Sequence, residues 1–144
     1  MFPSMSFSNL PRAHIDPIEA PLVALRLILM MVDPEASAET LVLTLDHRRC
    51  GVSITHVSGT DDPDAVLGVI DALAESARSS LGVAGLVVAS IRPNVDLEIS
   101  DLARWHEADR SCWESDIELV EWFVVGTSVS CPREFCGVPA RWPR

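Results

Sequence analysis

One segment, residues 83–90 with the sequence VAGLVVAS, constrains the fold of this chain more than any other. It is a nearly continuous apolar run without a charged residue. Such a run is typical of a β-strand covered on both faces, because the alternation of polar and apolar residues is lost when neither face meets water. Other elements must therefore pack above and below this strand.

One amphipathic helix is predicted before the apolar strand in the sequence, and another is predicted after it. The first begins at Asp62, which can cap a helix, and Pro63 suits the first helical position. Its apolar stripe consists of Val66, Val69, Ile70, Leu73 and Ala77. The second begins at the cap residue Ser100, and its apolar residues recur at spacings of three and four. They are Leu102, Trp105, Ala108 and Cys112.

Four further strands and one further helix complete the prediction. Residues 40–46 and 52–57 form a hairpin around the turn DHRRCG, and residues 117–125 and 128–131 form two late strands. Residues 19–32 are rich in Ala, Leu and Met and form an apolar helix. The order predicts a single α/β domain with a mixed, mostly antiparallel sheet flanked by helices. Residues 1–17 are a flexible arm, residues 18–135 the domain, and residues 136–144 a surface tail.

The charge of the chain excludes several classes of function. Its formal net charge is −10, all 11 basic residues are arginines, and lysine is absent. A surface that binds nucleic acid or an anionic membrane needs local positive charge, so neither partner is expected. Without lysine the chain has neither a Schiff-base amine nor the lysine of a phosphate-binding loop.

The sequence shows no targeting segment. The longest apolar run, residues 21–32, includes Arg26 and is shorter than the roughly 20 residues of a membrane span. A cytoplasmic location with reduced thiols is therefore expected. Cys131 and Cys136 are interpreted as small buried residues, with half of a zinc site as the alternative.

The remaining reactive side chains have structural interpretations. No two of the four histidines share a metal-ligand spacing, and each is interpreted as solvated or hydrogen-bonded. The acids at positions 61, 62 and 64 suit the start of a helix, since a calcium site would need more oxygen ligands. Trp105, Trp113 and Trp122 are expected to pack in or near the core, whereas Trp142 could anchor a partner.

Residues 36–135 resemble the RadC-like members of the JAB/MPN (JAMM) family. The segment ETLVLTLDHRRCGVSITHVSGT is similar to the family's opening hairpin and the Gly-Thr before its first crossover helix. The family then has a strand ending in His-x-His-Pro-Ser-Gly, a Ser-x-x-Asp element that opens a helix, and a closing strand that ends in Gly. LVVASIRPN, ISDLAR and LVEWFVVG stand at these places. The resemblance implies a deaminase-like JAB architecture.

The family's metal ligands are replaced in this chain. Ser90 and Arg92 stand where the two zinc-binding histidines are expected, and Pro93 matches the family proline. Glu121 and Trp122 replace a late Asp-His pair.

The helix that follows carries a partial match. Ser100 matches the family serine, and Ala103 stands where the carboxylate ligand is expected. Asp101 is close enough to match if the loop is shortened. Glu39 corresponds to the family's upstream glutamate.

The resemblance implies the fold and argues against the activity. The family uses a zinc-activated water with the glutamate as base, whereas an arginine offers a fixed positive charge and no lone pair. We therefore expect a vestigial pocket without catalytic, cofactor-binding or metal-ligating residues, formed by Glu39, Ser90, Arg92, Ser100 and Asp101. Arg92 is expected near Glu39 and Asp101 as an ion pair that replaces the metal. The alternatives are a solvent-facing loop residue and a contact for an anionic ligand.

The predicted function is non-catalytic. The chain would act as a protein-interaction or scaffolding module without a cofactor, with a protein partner or a second copy docking on residues 19–32 and the Trp142 tail. The alternative is a hydrolase, either metal-dependent with a non-standard site built from Asp101, Glu39 and His56 or a cysteine, or metal-free.

Overall fold

The apolar strand at the centre of the sequence is β3 (Gly85–Ile91) in the computed structural model, which describes residues 10–35, 37–79 and 82–143. It pairs antiparallel with β1 (Glu39–Leu45) and parallel with β4 (Glu118–Val125). Its residues from Gly85 to Ser90 are all buried. The prediction of a strand covered on both faces is confirmed.

The sheet has five strands in the order β2-β1-β3-β4-β5. The outer strands are β2 (Gly51–Ser58) and the short β5 (Val129–Ser130). Only the β3–β4 pair is parallel among these strands, so the predicted mixed and mostly antiparallel sheet is confirmed.

Helices cover both faces of the sheet and make one small α/β domain. α2 (Ala65–Arg78) and α3 (Ser100–Glu114) pack on one face, against residues such as Val42, Val88 and Trp122. α1 (Pro21–Leu29) packs on the other, against Leu41, Ala89 and Phe123 among others. A short helix, α4 (Pro132–Phe135), follows β5.

Neither long helix is capped by its predicted residue, since α2 begins later than predicted and α3 begins one residue earlier. The Asp62 side chain accepts a hydrogen bond from the backbone N–H of Asp64 (2.9 Å), and α2 begins only at Ala65. Asp62 therefore caps the turn before the helix. Ser100 is the first residue of α3, and its cap position is Ile99, which has no capping side chain.

The described part of the N-terminal arm contacts the domain. The backbone N–H of His14 donates to the carbonyl of Gly51 (3.0 Å), and Pro17 pairs with Cys50. Residues 1–9, the rest of the predicted arm, lie outside the described residues.

The tail differs from its prediction. Trp142 is only 9% exposed and packs with the α1 core, so its indole is not available as an anchor. Trp113, predicted to pack, is instead 81% exposed.

All four cysteines are free thiols. Within the described residues, no helix has both the length and the hydrophobicity needed to cross a membrane.

Candidate functional site

The candidate site lies at the end of β3, where the chain turns towards α3. Side chains alternate along a strand, so Ser90 and Arg92 share the face that α2 and α3 cover. The backbone N–H of Arg92 donates to the carbonyl of Val125 (2.8 Å), which holds the turn against the end of β4. Asp101 faces the same place from the first turn of α3.

Arg92 and Asp101 form a buried two-point ion pair. Nη1 of Arg92 donates to Oδ2 of Asp101 (2.7 Å), and Nη2 donates to Oδ1 (2.8 Å). The side chains are 10% and 0% exposed, respectively. The planar fork of a guanidinium matches a carboxylate in this way, and lysine could not replace it. Of the alternatives for Arg92, the structure shows the ion pair with Asp101 and contradicts the solvent-facing residue.

Arg104 is a second cation on the same carboxylate. Its Nη1 donates to Oδ1 of Asp101 (2.8 Å), and its Nε donates to Oδ1 of Asp64 (2.8 Å). The backbone N–H of Glu98 donates to Oδ2 of Asp101 (2.8 Å). Asp101 thus accepts hydrogen bonds from three residues, and Arg104 connects the start of α2 to the start of α3. The sequence gives one signal for Arg104, its spacing of three from Asp101 on one helix.

These donors determine the charge of Asp101. Burial alone would raise the pKa of this carboxyl, but the hydrogen bonds from Arg92, the Glu98 N–H and Arg104 outweigh that effect and hold the pKa below its usual value. Burial likewise opposes the charged form of Arg104, and the hydrogen bonds to Asp64 and Asp101 nevertheless raise its pKa. Asp101 and Arg104 are therefore both charged at neutral pH.

The two serines of the predicted pocket have different positions. Ser90 is buried, and its hydroxyl accepts a hydrogen bond from Nε1 of Trp122 (2.9 Å). The Trp122 ring also lies 5.9 Å from the guanidinium carbon of Arg92. Ser100 is exposed at the rim, where its hydroxyl accepts a hydrogen bond from Arg104 Nη1 (3.0 Å).

Glu39 does not join this cluster. It shares the parity of Leu41 on β1, so its side chain lies on the α1 face of the sheet. Its Oε2 lies 2.8 Å from Nε2 of His56, and its Oε1 accepts the backbone N–H of Asp33 (3.0 Å). The expectation that Arg92 lies near both carboxylates is therefore correct only for Asp101.

The cluster does not fit a zinc ion. Zinc takes imidazole, thiolate or carboxylate ligands, whereas Arg92 has donors only and Asp101 is held by two guanidinium groups and a backbone N–H. Glu39 and His56, invoked for a non-standard site, lie on the other face of the sheet. The part of the chain that the structure describes contains no group of three or more His, Cys, Asp and Glu side chains placed to hold a metal.

The surface has one small cleft beside the Arg92–Asp101 cluster and a larger cleft far from it. A cleft of about 190 Å³ beside Arg92 has Asp61 and Glu98 in its walls. It is smaller than the roughly 300–1,000 Å³ of typical ligand pockets. A cleft of about 710 Å³ lies at the opposite end of the sheet. Its walls include His47, His106 and the exposed Trp113. Sequence reasoning missed this cleft because the β1–β2 turn and α3 meet only in the folded chain.

No protein-family model matches this chain, and no curated protein matches it.

Proposed function

We propose that the protein is a RadC-like JAB-fold domain in which an arginine–aspartate pair has replaced the metal, and that it acts by binding protein rather than by hydrolysis. The order of its elements supports the family relation. A hairpin (β1–β2), a crossover helix (α2), a strand (β3), a helix (α3) and a strand (β4) follow one another as the resemblance implies.

The observation that carries the proposal is the buried Arg92–Asp101 pair. Arg92 stands at a ligand position of the resembled motif, and its fixed positive charge would repel a dication. Ala103, which stands at the position of the family carboxylate, is exposed, while Asp101 is fully buried against Arg92. A carboxylate thus faces the cluster from a shifted position of the helix, and it is neutralised by arginine.

A second buried ion pair extends this pattern. Glu121, at the family's late aspartate position, is 2% exposed and lies 3.1 Å from Nε of Arg133 in α4. Trp122 stands at the late histidine position, and its Nε1 donates a hydrogen bond to the hydroxyl of Ser90. Asp101 and Glu121 are thus each paired with an arginine of the same chain, which supports a site without free metal ligands.

A binding role agrees with the surface of the protein. The charge of −10 disfavours nucleic acid, so a protein partner or a second copy is the expected partner and no cofactor is required. The outer side of α1 exposes large apolar side chains, as protein-binding surfaces do. The fold alone does not fix a function, so this role follows from the surface and from a site without free metal ligands.

The experiment that tests the proposal rebuilds the metal site. The double variant Ser90→His/Arg92→His places two imidazoles on one face of β3, opposite Asp101. We expect it to bind one Zn²⁺ per chain in titration calorimetry, at least about 10-fold more tightly than either single variant. Circular dichroism checks that each variant is folded.

The matched control is Ser90→Ala/Arg92→Ala, which also loses the Trp122 and Asp101 contacts but has no imidazole. If a folded double-histidine variant binds zinc no better than this control, the two positions are not arranged as the resemblance implies, and the family proposal fails.

A further inference from the structure

The outer side of α1 is apolar where a surface helix normally carries polar residues. Between residues 21 and 32 the only polar side chain is Arg26. The inner side of the helix is buried in the core through Ala24, Leu25 and Ile28. Leu22, Met30 and Met31 are 44%, 52% and 53% exposed. A helix that is apolar all round is normally covered on all sides.

Arg26 is half-buried in the middle of α1 and has no carboxylate partner among the described residues. It is four residues from Leu22 and four from Met30, so the three side chains form one row on the helix. Its guanidinium forms no ion pair within the part of the chain that the structure describes. The surface therefore fits a partner that is apolar and carries a carboxylate.

The same chain supplies such carboxylates at the two ends of α1. Glu19 precedes the helix, and Asp33 and Glu35 follow it; all three are exposed. Within the described ranges none of the three forms an ion pair. In an antiparallel pair of α1 helices, a two-fold axis near Met30 brings Arg26 of one copy beside residues 33–35 of the other. An axis between Leu22 and Val23 brings Arg26 beside Glu19 instead, so the axis lies towards one end of the helix and not at its middle. Arg26 of each copy then meets an acid of the other copy.

The net charge restricts where two copies can meet. Each chain carries −10, so most surfaces of two copies repel each other. Residues 20–32 contain one arginine and no acid, which makes the α1 surface suitable for close approach.

We infer that the protein self-associates as a two-fold dimer through the outer face of α1, with Arg26 of each copy paired to Glu19, Asp33 or Glu35 of the other. The inference names the partner in the proposed binding role and rests on that role. The nine-residue helix is about 13.5 Å long, so the interface belongs to the small class. A dissociation constant on the order of 10 μM is expected for the full chain.

The first test is sedimentation equilibrium of the full chain at increasing concentration. We expect a monomer–dimer equilibrium that Met30→Glu weakens by at least about 10-fold, because it places a charge inside the apolar contact. The matched control is Ile99→Glu, which changes an apolar side chain that is 88% exposed outside α1 and leaves the equilibrium unchanged. A chain that remains monomeric up to about 300 μM, or a dimer that Met30→Glu does not weaken, overturns the inference.

The second test uses complementary charge reversal. Arg26→Glu, and separately the triple variant Glu19→Arg/Asp33→Arg/Glu35→Arg, each place like charges opposite one another in a homodimer. Each variant alone is expected to be monomeric, whereas their mixture restores a dimer because every contact is again between opposite charges. Failure of the folded variants to associate in the mixture contradicts the antiparallel arrangement.

The two proposals fail separately. A zinc-free protein that stays monomeric contradicts only the self-association. A dimer sensitive to Met30→Glu whose purified chains carry stoichiometric zinc contradicts only the proposed loss of the metal site.

Discussion

At the scale of single residues, Asp101 is the side chain on which the cluster depends most. Asp101→Ala leaves the buried guanidinium of Arg92 without its carboxylate and removes one partner of Arg104. We expect the free energy of unfolding to fall by about 3–5 kcal/mol, since removing one partner of a buried ion pair strands the other charge. Urea denaturation followed by fluorescence measures this loss.

The matched control for that substitution is Asp16→Ala, which breaks the exposed Arg12–Asp16 pair. Exposed pairs contribute little, so no measurable change is expected there. Equal effects of the two substitutions would show that Arg92 and Asp101 do not form a buried pair in solution.

The lowered pKa of Asp101 predicts a dependence of stability on pH. A carboxyl whose pKa is lower in the folded than in the unfolded state contributes its full stabilisation above the unfolded value of about 3.9. This contribution is lost as the pH falls through the folded pKa. The difference in urea midpoint between the native chain and Asp101→Asn should therefore be constant from about pH 7 to pH 5 and shrink below pH 4. A difference that grows on acidification would contradict the direction of the shift.

The tryptophans show what residue patterns can reveal. Cys112 belongs to the apolar stripe of α3, and Trp113 follows it by about 100° of rotation, so the helical spacing itself turns Trp113 towards solvent. The buried position of Trp142 has no such signal, because it lies in a Pro- and Arg-rich tail without periodicity. Its burial depends on the α1 side of the sheet, which only the folded chain assembles.

At the scale of elements, the strands and the long helices could be predicted because apolar runs and helical stripes are long enough to be recognised. The exact ends of these helices could not be predicted. Asp62 and Ser100 have side chains suited to capping. However, the Asp62 carboxylate accepts the backbone N–H of Asp64 in the turn before α2, and the Ser100 hydroxyl accepts a hydrogen bond from Arg104. The short α4 lies just before the predicted tail, and its four helical residues are too few to give a periodic signal.

Replacing two glycines by alanine is expected to change the stability of the fold in opposite directions. A Cβ on Gly126, just after β4, would lie 2.3 Å from the backbone carbonyl oxygen of Val95. A Cβ on Gly68, within α2, would meet nothing within 4 Å. We expect Gly126→Ala to destabilise the fold by about 1–3 kcal/mol, and Gly68→Ala to stabilise it by up to about 1 kcal/mol.

Thermal unfolding of the two glycine variants provides the measurement. Loss of stability in Gly68→Ala would contradict the open space beside α2. No loss of stability in Gly126→Ala would contradict the close contact between the end of β4 and the loop after β3.

At the scale of the whole molecule, the site was only partly predictable. Arg92 and Asp101 are nine residues apart, and the resemblance places both in one pocket. The side of the sheet on which Glu39 lies depends on strand register, since Thr40 and not Glu39 pairs with Ser90. The contact between Arg104 and Asp64 spans 40 residues and two helices, so no local pattern predicts it.

The central claim is that Arg92 and Asp101 take the place of the metal. It is tested most directly by the zinc content of the purified full chain, produced with added zinc and measured by mass spectrometry beside Asp101→Ala. We predict that both proteins contain less than about 0.1 zinc per chain, because guanidinium donors occupy the carboxylate that a metal would need. One zinc per native chain that disappears in Asp101→Ala would contradict the claim.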